Sequence, residues 1–169
     1  KVEAFFNIIS CNLIENMSKN EKSFDDLFDG VRILTVGRLS KEKGQELTIN
    51  VLARLKNEGY KVRWYCIGDG PEKDNYRNRI KGLEEHFILL GVRANPYSYI
   101  KDCDIYVQPS KHEGYCITLG EARCFDNPIV TTNFTGANEQ IKNEITGLVC
   151  DISEQGIYQA IKRLLDNKE

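Results

Sequence analysis

Residues 113–121 read Glu-Gly-Tyr-Cys-Ile-Thr-Leu-Gly-Glu, and the predicted fold is organised around this stretch. Residues 104–110 (Asp-Ile-Tyr-Val-Gln-Pro-Ser) precede it and predict a strand that stops at the proline, while residues 117–126 continue it as a helix. Glu113 therefore falls in the loop after a strand, and Glu121 about one turn inside the next helix. Because ligands of an open parallel sheet bind at the carboxyl ends of its strands, this loop is the first candidate site.

The alternation of strand and helix continues through the chain after residue 30. Short apolar runs predict strands, and apolar residues at helical spacing between turn residues predict helices. The predicted strands are 31–36, 62–67, 87–90, 104–107, 129–132 and 147–150, and the predicted helices are 45–58, 71–82, 96–101, 117–126, 137–142 and 153–166. This alternation favours right-handed crossovers between parallel strands. The sequence therefore predicts an α/β fold with a Rossmann-like, doubly wound, mainly parallel sheet and helices on both faces.

The start of the chain differs in character from the remainder. Residues 1–9 (KVEAFFNII) predict a short strand that arrives from another region, and the polar residues 10–30 predict a surface connector or a mobile loop. We therefore divide the chain into an opening strand with its connector, residues 1–30, and one folded domain, residues 31–169.

The composition is that of a soluble globular protein, with 169 residues of which 41% are hydrophobic and 28% are charged. A net charge of −2 argues against a protein that coats nucleic acid. No apolar run approaches the roughly 20 residues that span a bilayer, and no signal peptide is recognisable at the start. The six cysteines lack a Cys-x-x-Cys spacing and four of them lie in apolar runs, which favours reduced, buried thiols in a cytoplasmic protein.

A basic loop follows the first strand of the predicted domain. Residues 37–44 begin and end with glycine and contain three cations, Arg38, Lys41 and Lys43. The planar guanidinium group of an arginine and the ammonium group of a lysine can bind a diphosphate from two sides, so we assign that role to Arg38 and Lys43. We expect Lys41 to be an exposed surface residue. The loop is not a P-loop, because it lacks the Gly-Lys-Ser/Thr ending.

The two glutamates admit more than one chemical interpretation. A carboxylate at the ligand edge can accept hydrogen bonds from the vicinal hydroxyls of a ribose or a hexose. A carboxylate pair would also suit glycoside hydrolysis, but the basic loop favours a phosphorylated sugar over a plain glycoside. The turn 68–71 (Gly-Asp-Gly-Pro) fails as a dinucleotide fingerprint because Lys73 stands where a third glycine is needed, which disfavours a dehydrogenase.

Taken in order, these motifs resemble the C-terminal, donor-binding half of a family 4 glycosyltransferase of the GT-B fold. The resemblance covers nearly all of residues 31–167, and its most diagnostic part is the spacing of Glu113 and Glu121, with seven residues between them. The segments that carry it are 37–44, 67–71, 104–110, 113–122, 136–139 and 146–148. The resemblance implies that the domain binds a nucleotide-diphospho-sugar, such as a UDP-sugar, for a retaining, metal-independent transfer that uses no cofactor. The base, the sugar and the acceptor are left open.

The same resemblance implies roles for individual side chains. Arg38 and Lys43 would neutralise the diphosphate of the donor and stabilise it as it departs. Glu113 would hold hydroxyls of the donor sugar, and Glu121 would hold the ribose hydroxyls. The expected catalytic residues are therefore Arg38, Lys43 and Glu113.

The remaining expected donor contacts come from loops. Gly37 opens the basic loop and belongs to the donor site. The backbone N–H groups of Gly114, Tyr115 and Cys116 would lie near the sugar and the phosphates. The base would rest beside Val92, in the loop after the third strand, and no residue is expected to bind a metal ion.

The expected partners follow from the same resemblance. A GT-B enzyme places its acceptor site on an N-terminal domain, so the glycosyl acceptor is expected to bind through a domain that this chain lacks, and the chain alone is expected to be inactive. The full-length enzyme is expected in the cytoplasm, with membrane association at the inner face, and is expected to build a bacterial surface polysaccharide. A nucleotide-sugar epimerase half-domain and a non-catalytic nucleotide-sugar-binding module are the alternatives.

Overall fold

The structure, a computed structural model, describes residues 9–167 and contains one six-stranded sheet. The strands are β1 (Val31–Val36), β2 (Val62–Ile67), β3 (Phe87–Gly91), β4 (Ile105–Gln108), β5 (Ile129–Thr132) and β6 (Leu148–Cys150). They lie side by side in the order β3-β2-β1-β4-β5-β6, and every neighbouring pair is parallel. The predicted parallel, Rossmann-like sheet is therefore confirmed.

From residue 31 onward helices follow the strands in the predicted order, and one further helix lies in the connector, where none was predicted. They are α1 (Cys11–Met17), α2 (Gln45–Asn57), α3 (Lys73–Arg79), α4 (Tyr97–Asp102), α5 (Ile117–Ala122), α6 (Ala137–Gln140) and α7 (Glu154–Asp166), with a 3₁₀ turn at Lys41–Lys43. Ser153 caps the start of α7, since its Oγ accepts the N–H of Gly156 at 3.0 Å. Helices α3, α5 and α6 are shorter than predicted. In α5 the reason is that the N–H groups of Cys124 and Phe125 bond to carbonyls three residues back, so the helix closes in a tight turn.

Each face of the sheet has its own hydrophobic core. Ile33 of β1 belongs to one core together with Leu52 of α2 and Ile161 of α7, whereas its neighbour Leu34 belongs to the other together with Leu119 of α5. All five side chains are fully buried. Successive side chains of a strand point to opposite faces, so a central strand covered on both sides is apolar throughout.

The strand order reverses beside β1, and this reversal positions the site. From β1 the chain proceeds outward through β2 to β3, and then returns to place β4 on the other side of β1. The connections that leave β1 and β4 therefore run to opposite sides, and a crevice opens between the carboxyl ends of these two strands. The basic loop and the loop that carries Glu113 are the loops that follow β1 and β4.

The polar connector is packed against the sheet, which corrects the expectation of a mobile loop. Its first part forms α1, Cys11–Met17. Further along, Asp26 forms ion pairs with Arg32 at 2.7 Å and with Arg63 at 2.9 Å. The local pattern missed this packing because the partners of the connector lie on strands further along the chain. The opening strand predicted for residues 1–9 falls almost entirely outside the described residues.

One pair of cysteines departs from the prediction that all six are reduced. The structure joins Cys11 of α1 to Cys124, just after α5, in a disulfide whose Cα atoms lie 5.1 Å apart. The four free thiols are Cys66, Cys103, Cys116 and Cys150. The sequence pattern could not show the disulfide, because the two cysteines are 113 positions apart and only the packing of α1 brings them together.

Candidate functional site

The two loops at the crevice touch each other through backbone atoms. Glu42 O, in the loop after β1, accepts the N–H of Lys111, in the loop after β4, at 2.7 Å. Gly44 lies so close to the second loop that a β-carbon on it would come within 2.1 Å of Pro109 O. Gly44 also has a positive φ of 69°, which residues with a side chain rarely adopt. The two loops are therefore held at a fixed distance from one another.

Lys43 and Glu113, one from each loop, form a direct ion pair. Lys43 Nζ lies 2.7 Å from Glu113 Oε1 and 2.8 Å from Glu113 Oε2. The Glu113 side chain is 7% exposed and the Lys43 side chain is 25% exposed. Two residues that lie 70 positions apart, and that were predicted to share one ligand, are thus in contact.

A chain of buried hydrogen bonds holds Glu113 from the side of the sheet. Ser110 Oγ donates to Glu113 Oε1 at 2.6 Å and accepts from Gln108 Nε2 at 2.9 Å. Gln108 Oε1 in turn accepts from the hydroxyls of Tyr106 at 2.9 Å and Thr118 at 3.2 Å. Because the amide of Gln108 donates to Ser110, the single hydroxyl proton of Ser110 is directed at Glu113. Glu113 is therefore oriented as a hydrogen-bond acceptor.

Glu121 lies on α5 and is held by a tyrosine of α4. Tyr97 OH donates to Glu121 Oε1 at 2.9 Å. Burial raises the pKa of Glu121, and the hydrogen bond from Tyr97 opposes that rise. Burial and the neighbouring carboxyl raise the pKa of Tyr97 to about 12, so its hydroxyl remains a donor at neutral pH. Glu121 is thus a half-buried acceptor with a partner of its own, separate from the Lys43–Glu113 pair.

The first two residues of the basic loop are placed differently from each other. Gly37 lies beside the stem of Lys43, since a β-carbon at Gly37 would be 3.9 Å from Lys43 Cδ. Arg38 is exposed, and its carbonyl accepts from Gln45 Nε2 at 2.9 Å, which ties the loop to the start of α2. The structure thus brings Gly37 to Lys43 and leaves the Arg38 side chain exposed next to it.

The glycine turn 68–71 packs against the basic loop. A β-carbon on Gly68 would come within 2.0 Å of Gly37 O, and a β-carbon on Gly70 would come within 2.3 Å of Leu39 O. Both glycines are therefore required by the close approach of two backbones. This contact supports the interpretation of the turn as a structural one.

The residues that follow Glu113 present backbone donors. Among the residues that the structure describes, the N–H groups of Gly114, Tyr115 and Cys116 donate to no carbonyl and to no side chain. Burial raises the pKa of the Cys116 thiol to about 11, so this thiol is not ionised at neutral pH. Val92 is 68% exposed just after β3, with β2 lying between β3 and β1. Val92 is therefore an exposed residue at the end of a strand two positions from β1 in the sheet.

Three residues of this arrangement were not predicted as functional positions: Ser110, Gln108 and Tyr97. A signal existed for Gln108 and Ser110, because polar residues two positions apart at the end of an apolar strand lie on one face and can form one hydrogen-bonded chain. No such signal existed for Tyr97, which lies 24 positions before Glu121 and reaches it only through the packing of α4 on α5.

The described part of the chain contains no group of three or more His, Cys, Asp or Glu side chains placed to hold a metal ion. The expectation of a metal-independent site stays a prediction. Within residues 9–167, no helix combines the length and the apolar character that crossing a bilayer requires.

The arrangement combines a cation, two carboxylates and free N–H groups at one edge of the sheet. Lys43 can bind an anion, and the N–H groups of residues 114–116 can bind further anionic oxygens. Glu113 and Glu121, both oriented as acceptors, can bind hydroxyl groups. A ligand that carries both phosphate groups and hydroxyl groups matches this set.

Comparison with known proteins identifies relatives of this chain. Residues 18–169 match the family described as glycosyl transferases group 1. An N-acetylgalactosamine-N,N'-diacetylbacillosaminyl-diphospho-undecaprenol 4-alpha-N-acetylgalactosaminyltransferase of Campylobacter jejuni is 32% identical over 99% of this chain and 45% of its own length. The capsular polysaccharide biosynthesis glycosyltransferase CapM of Staphylococcus aureus is 27% identical over 92% of this chain and 42% of its own length. The chain therefore spans less than half the length of these relatives.

The fold is shared with solved structures. The crystal structure of Anabaena Alr3699/HepE in complex with UDP matches 96% of this chain and 47% of that chain, with a TM-score of 0.80 and 23% identity. Both named relatives are transferases, so the comparisons support the transferase interpretation and give no support to the epimerase or the non-catalytic alternative. The family match covers residues 18–169, which is most of this chain. The chain therefore belongs to the glycosyl transferases group 1 family.

Proposed function

We propose that this chain binds the nucleotide-diphospho-sugar donor of a glycosyl transfer, in the crevice at the carboxyl ends of β1 and β4. Arg38 and Lys43 bind the diphosphate, together with the backbone N–H groups of residues 114–116. Glu113 binds hydroxyls of the donor sugar and Glu121 binds those of the ribose. The base rests against the loop after β3.

The observation that carries the proposal is the contact between Lys43 and Glu113. An anion-binding ammonium group and a hydroxyl-binding carboxylate lie 2.7 Å apart, which suits a ligand whose phosphate and sugar are joined by one bond. Because Glu113 is nearly buried, it requires hydrogen-bond donors from its surroundings, and sugar hydroxyls can supply them. The UDP in the structure of the Anabaena protein, which has the same fold, supports a nucleotide as the ligand.

On this proposal the chain is the donor-binding, C-terminal half of a retaining transferase. The departing diphosphate is stabilised by Arg38, Lys43 and backbone donors, without a metal ion. The acceptor binds through an N-terminal domain of the complete enzyme, and this chain alone binds the donor without transferring sugar. The complete enzyme acts on the cytoplasmic side of the membrane in building a bacterial surface polysaccharide. The relative CapM, a capsular polysaccharide biosynthesis glycosyltransferase, supports the polysaccharide part of this proposal.

Titration calorimetry on this chain tests the proposal with UDP, GDP and ADP and with one hexose conjugate of each. We expect one nucleotide series to bind. Lys43→Ala and Arg38→Ala should each weaken the binding of its diphosphate by about 1.5–3 kcal/mol, the range for hydrogen bonds to charged groups.

Lys41→Ala is the matched control for these variants. It removes the same charge from the same loop at an exposed position, and it should leave the affinity unchanged. Unchanged affinity in both Lys43→Ala and Arg38→Ala, or no binding anywhere in the panel, overturns the proposal.

A further inference from the structure

The pairing of Lys43 with Glu113 sets up a competition for one ammonium group. Glu113 Oε1 is bonded to Lys43 and to Ser110, and Glu113 Oε2 is bonded to Lys43. Within residues 9–167, Glu113 is the one ion-pair partner of Lys43. A diphosphate that binds at this edge of the sheet therefore competes with Glu113 for the same ammonium group.

Of the two partners, Glu113 is the fixed one and Lys43 is the one that can turn. Glu113 is anchored by Ser110 and, through it, by Gln108, and these two side chains are at most 1% exposed. Lys43 stands on the short turn Lys41–Lys43, and its side chain is 25% exposed. A lysine has a flexible four-carbon stem, so its ammonium group can turn toward a phosphate while the anchored carboxylate stays in place.

This difference has an energetic consequence for Glu113. When the ammonium group turns to a phosphate, Glu113 keeps the hydrogen bond from Ser110 and loses its cation. A nearly buried carboxylate in that state is unfavourable, because burial has removed the water that would solvate it. Hydroxyls of a bound donor sugar can replace the lost hydrogen bonds. A nucleoside diphosphate that lacks the donor sugar has no sugar hydroxyl beyond its terminal phosphate.

We propose that Glu113 makes the site discriminate against a nucleoside diphosphate that has lost the donor sugar. Ser110 is the positioning residue, and Lys43 is the group that exchanges between Glu113 and the diphosphate. This inference rests on the proposed donor site and adds a selectivity to it. The product of glycosyl transfer is a nucleoside diphosphate, so the exchange also favours the release of that product once the sugar has left.

Calorimetry with paired ligands measures this selectivity. The affinities for UDP and UDP-glucose, and for GDP and GDP-mannose, are compared between the native chain and Glu113→Gln. The substitution keeps the shape of the side chain and an oxygen that can accept from Ser110, but it removes the charge that competes for Lys43. We expect Glu113→Gln to bind the nucleoside diphosphate about tenfold more tightly, since no buried carboxylate loses its cation on binding, and to bind the nucleotide sugar no more tightly than the native chain.

Two further variants separate exchange at Lys43 from simple charge repulsion. In the double variant Glu113→Gln with Lys43→Ala, the gain in affinity over Lys43→Ala alone is expected to vanish, because no ammonium group is left to exchange. Ser110→Ala should lower the ratio of nucleotide-sugar to nucleoside-diphosphate affinity, since it releases the carboxylate from its anchor. A loss of general stability would not change that ratio.

The outcomes distinguish this inference from the proposed function. If Glu113→Gln binds the nucleoside diphosphate as weakly as the native chain, or more weakly, the inference is overturned while donor binding stands. A gain that persists in the double variant shows direct repulsion of the phosphates by Glu113 and overturns the exchange at Lys43. If the native chain binds none of the four ligands, the proposed function fails for these nucleotides and the inference falls with it.

Discussion

Tyr97 OH donates a hydrogen bond of 2.9 Å to Glu121 Oε1 and thereby links α4 to α5. The start of α4 is itself held by Asn95, whose Oδ1 accepts the N–H of Tyr97 at 3.2 Å and whose Nδ2 donates to Met17 O at 2.9 Å. The carboxylate proposed to bind the ribose is therefore connected through one side chain to the segment that follows β3, where the base is proposed to lie.

Tyr97→Phe is expected to weaken the binding of a ribonucleoside diphosphate by about 1 kcal/mol, the net value of one hydrogen bond, because Glu121 loses the donor that orients it. Glu121→Gln is expected to cause a loss of similar size. Calorimetry with a 2′,3′-dideoxy nucleotide is the control, because that ligand lacks the hydroxyls in question and both losses should disappear. Equal losses with the two ligands would show that Glu121 does not bind the ribose.

Gly44→Ala is expected to destabilise the fold more than Gly82→Ala does. Both glycines have a positive φ, 69° and 84°, which costs an alanine about 1–2 kcal/mol. At Gly44 the new β-carbon would also collide with Pro109 O at 2.1 Å, whereas at Gly82 no atom lies within 4 Å. Urea denaturation should therefore show an additional loss of about 1–3 kcal/mol for Gly44→Ala. If the two variants are equally stable, the loops after β1 and β4 are not in tight contact.

A count of reactive thiols tests the disulfide between Cys11 and Cys124. Unfolded without reductant, the chain should react at four of its six cysteines, and at all six after reduction. Cys124→Ser should lower the free energy of unfolding in oxidising buffer by about 2–4 kcal/mol, because a cross-link over a long loop restricts the unfolded chain. In the presence of dithiothreitol the variant and the native chain should unfold alike. Six reactive thiols before reduction contradict the disulfide.

Asp26 is expected to make the stability of the fold sensitive to acid. Burial alone would raise the pKa of its carboxyl, but hydrogen bonds from Tyr65, Arg32 and Arg63 outweigh burial and hold that pKa well below its ordinary value of 3.8. A carboxyl whose pKa is lower in the folded state stabilises the fold at any pH above its ordinary pKa, and this stabilisation is lost as the pH falls below that value.

The substitution Asp26→Asn tests this dependence. It should lower the free energy of unfolding by about 2 kcal/mol at neutral pH, because two arginines lose a charged acceptor. The difference between the variant and the native chain should shrink progressively below about pH 4. Urea denaturation at a series of pH values measures it, and a difference that does not change with pH would contradict the role of the ionised carboxyl.

The positions of strands and helices were largely predictable, because each depends on a pattern over a few residues. The run 62–67 is a strand with the predicted bounds, and α2 begins at the predicted Gln45. The end of α5 was predicted too late: the apolar residues after Ala122 continue a helical pattern, but the backbone there closes in a tight turn instead. Local patterns report which residues can be buried, and the course of the backbone also depends on what those residues pack against.

The candidate site was predictable in part. Basic and acidic residues directly after predicted strands indicated one edge of the sheet, because the carboxyl ends of parallel strands lie together. Ser110, which orients Glu113, was missed although its spacing from Gln108 at the end of a strand was a local signal. Tyr97, which orients Glu121, was missed because its contact exists only in the packed structure. The ion pairs of Asp26, which attach the connector 10–30 to the sheet, were missed because they too exist only in the packed structure.

The sequence by itself determined the local elements, the glycines of the turns and the types of charged side chain that each loop presents, because these depend on neighbours within one or two turns of the chain. Only the tertiary structure decided that β4 lies beside β1, that Lys43 meets Glu113, and that Cys11 reaches Cys124. Those contacts join positions 70 or more residues apart. Such contacts form only when whole elements pack together, and no short stretch of sequence contains the information about which elements will be neighbours.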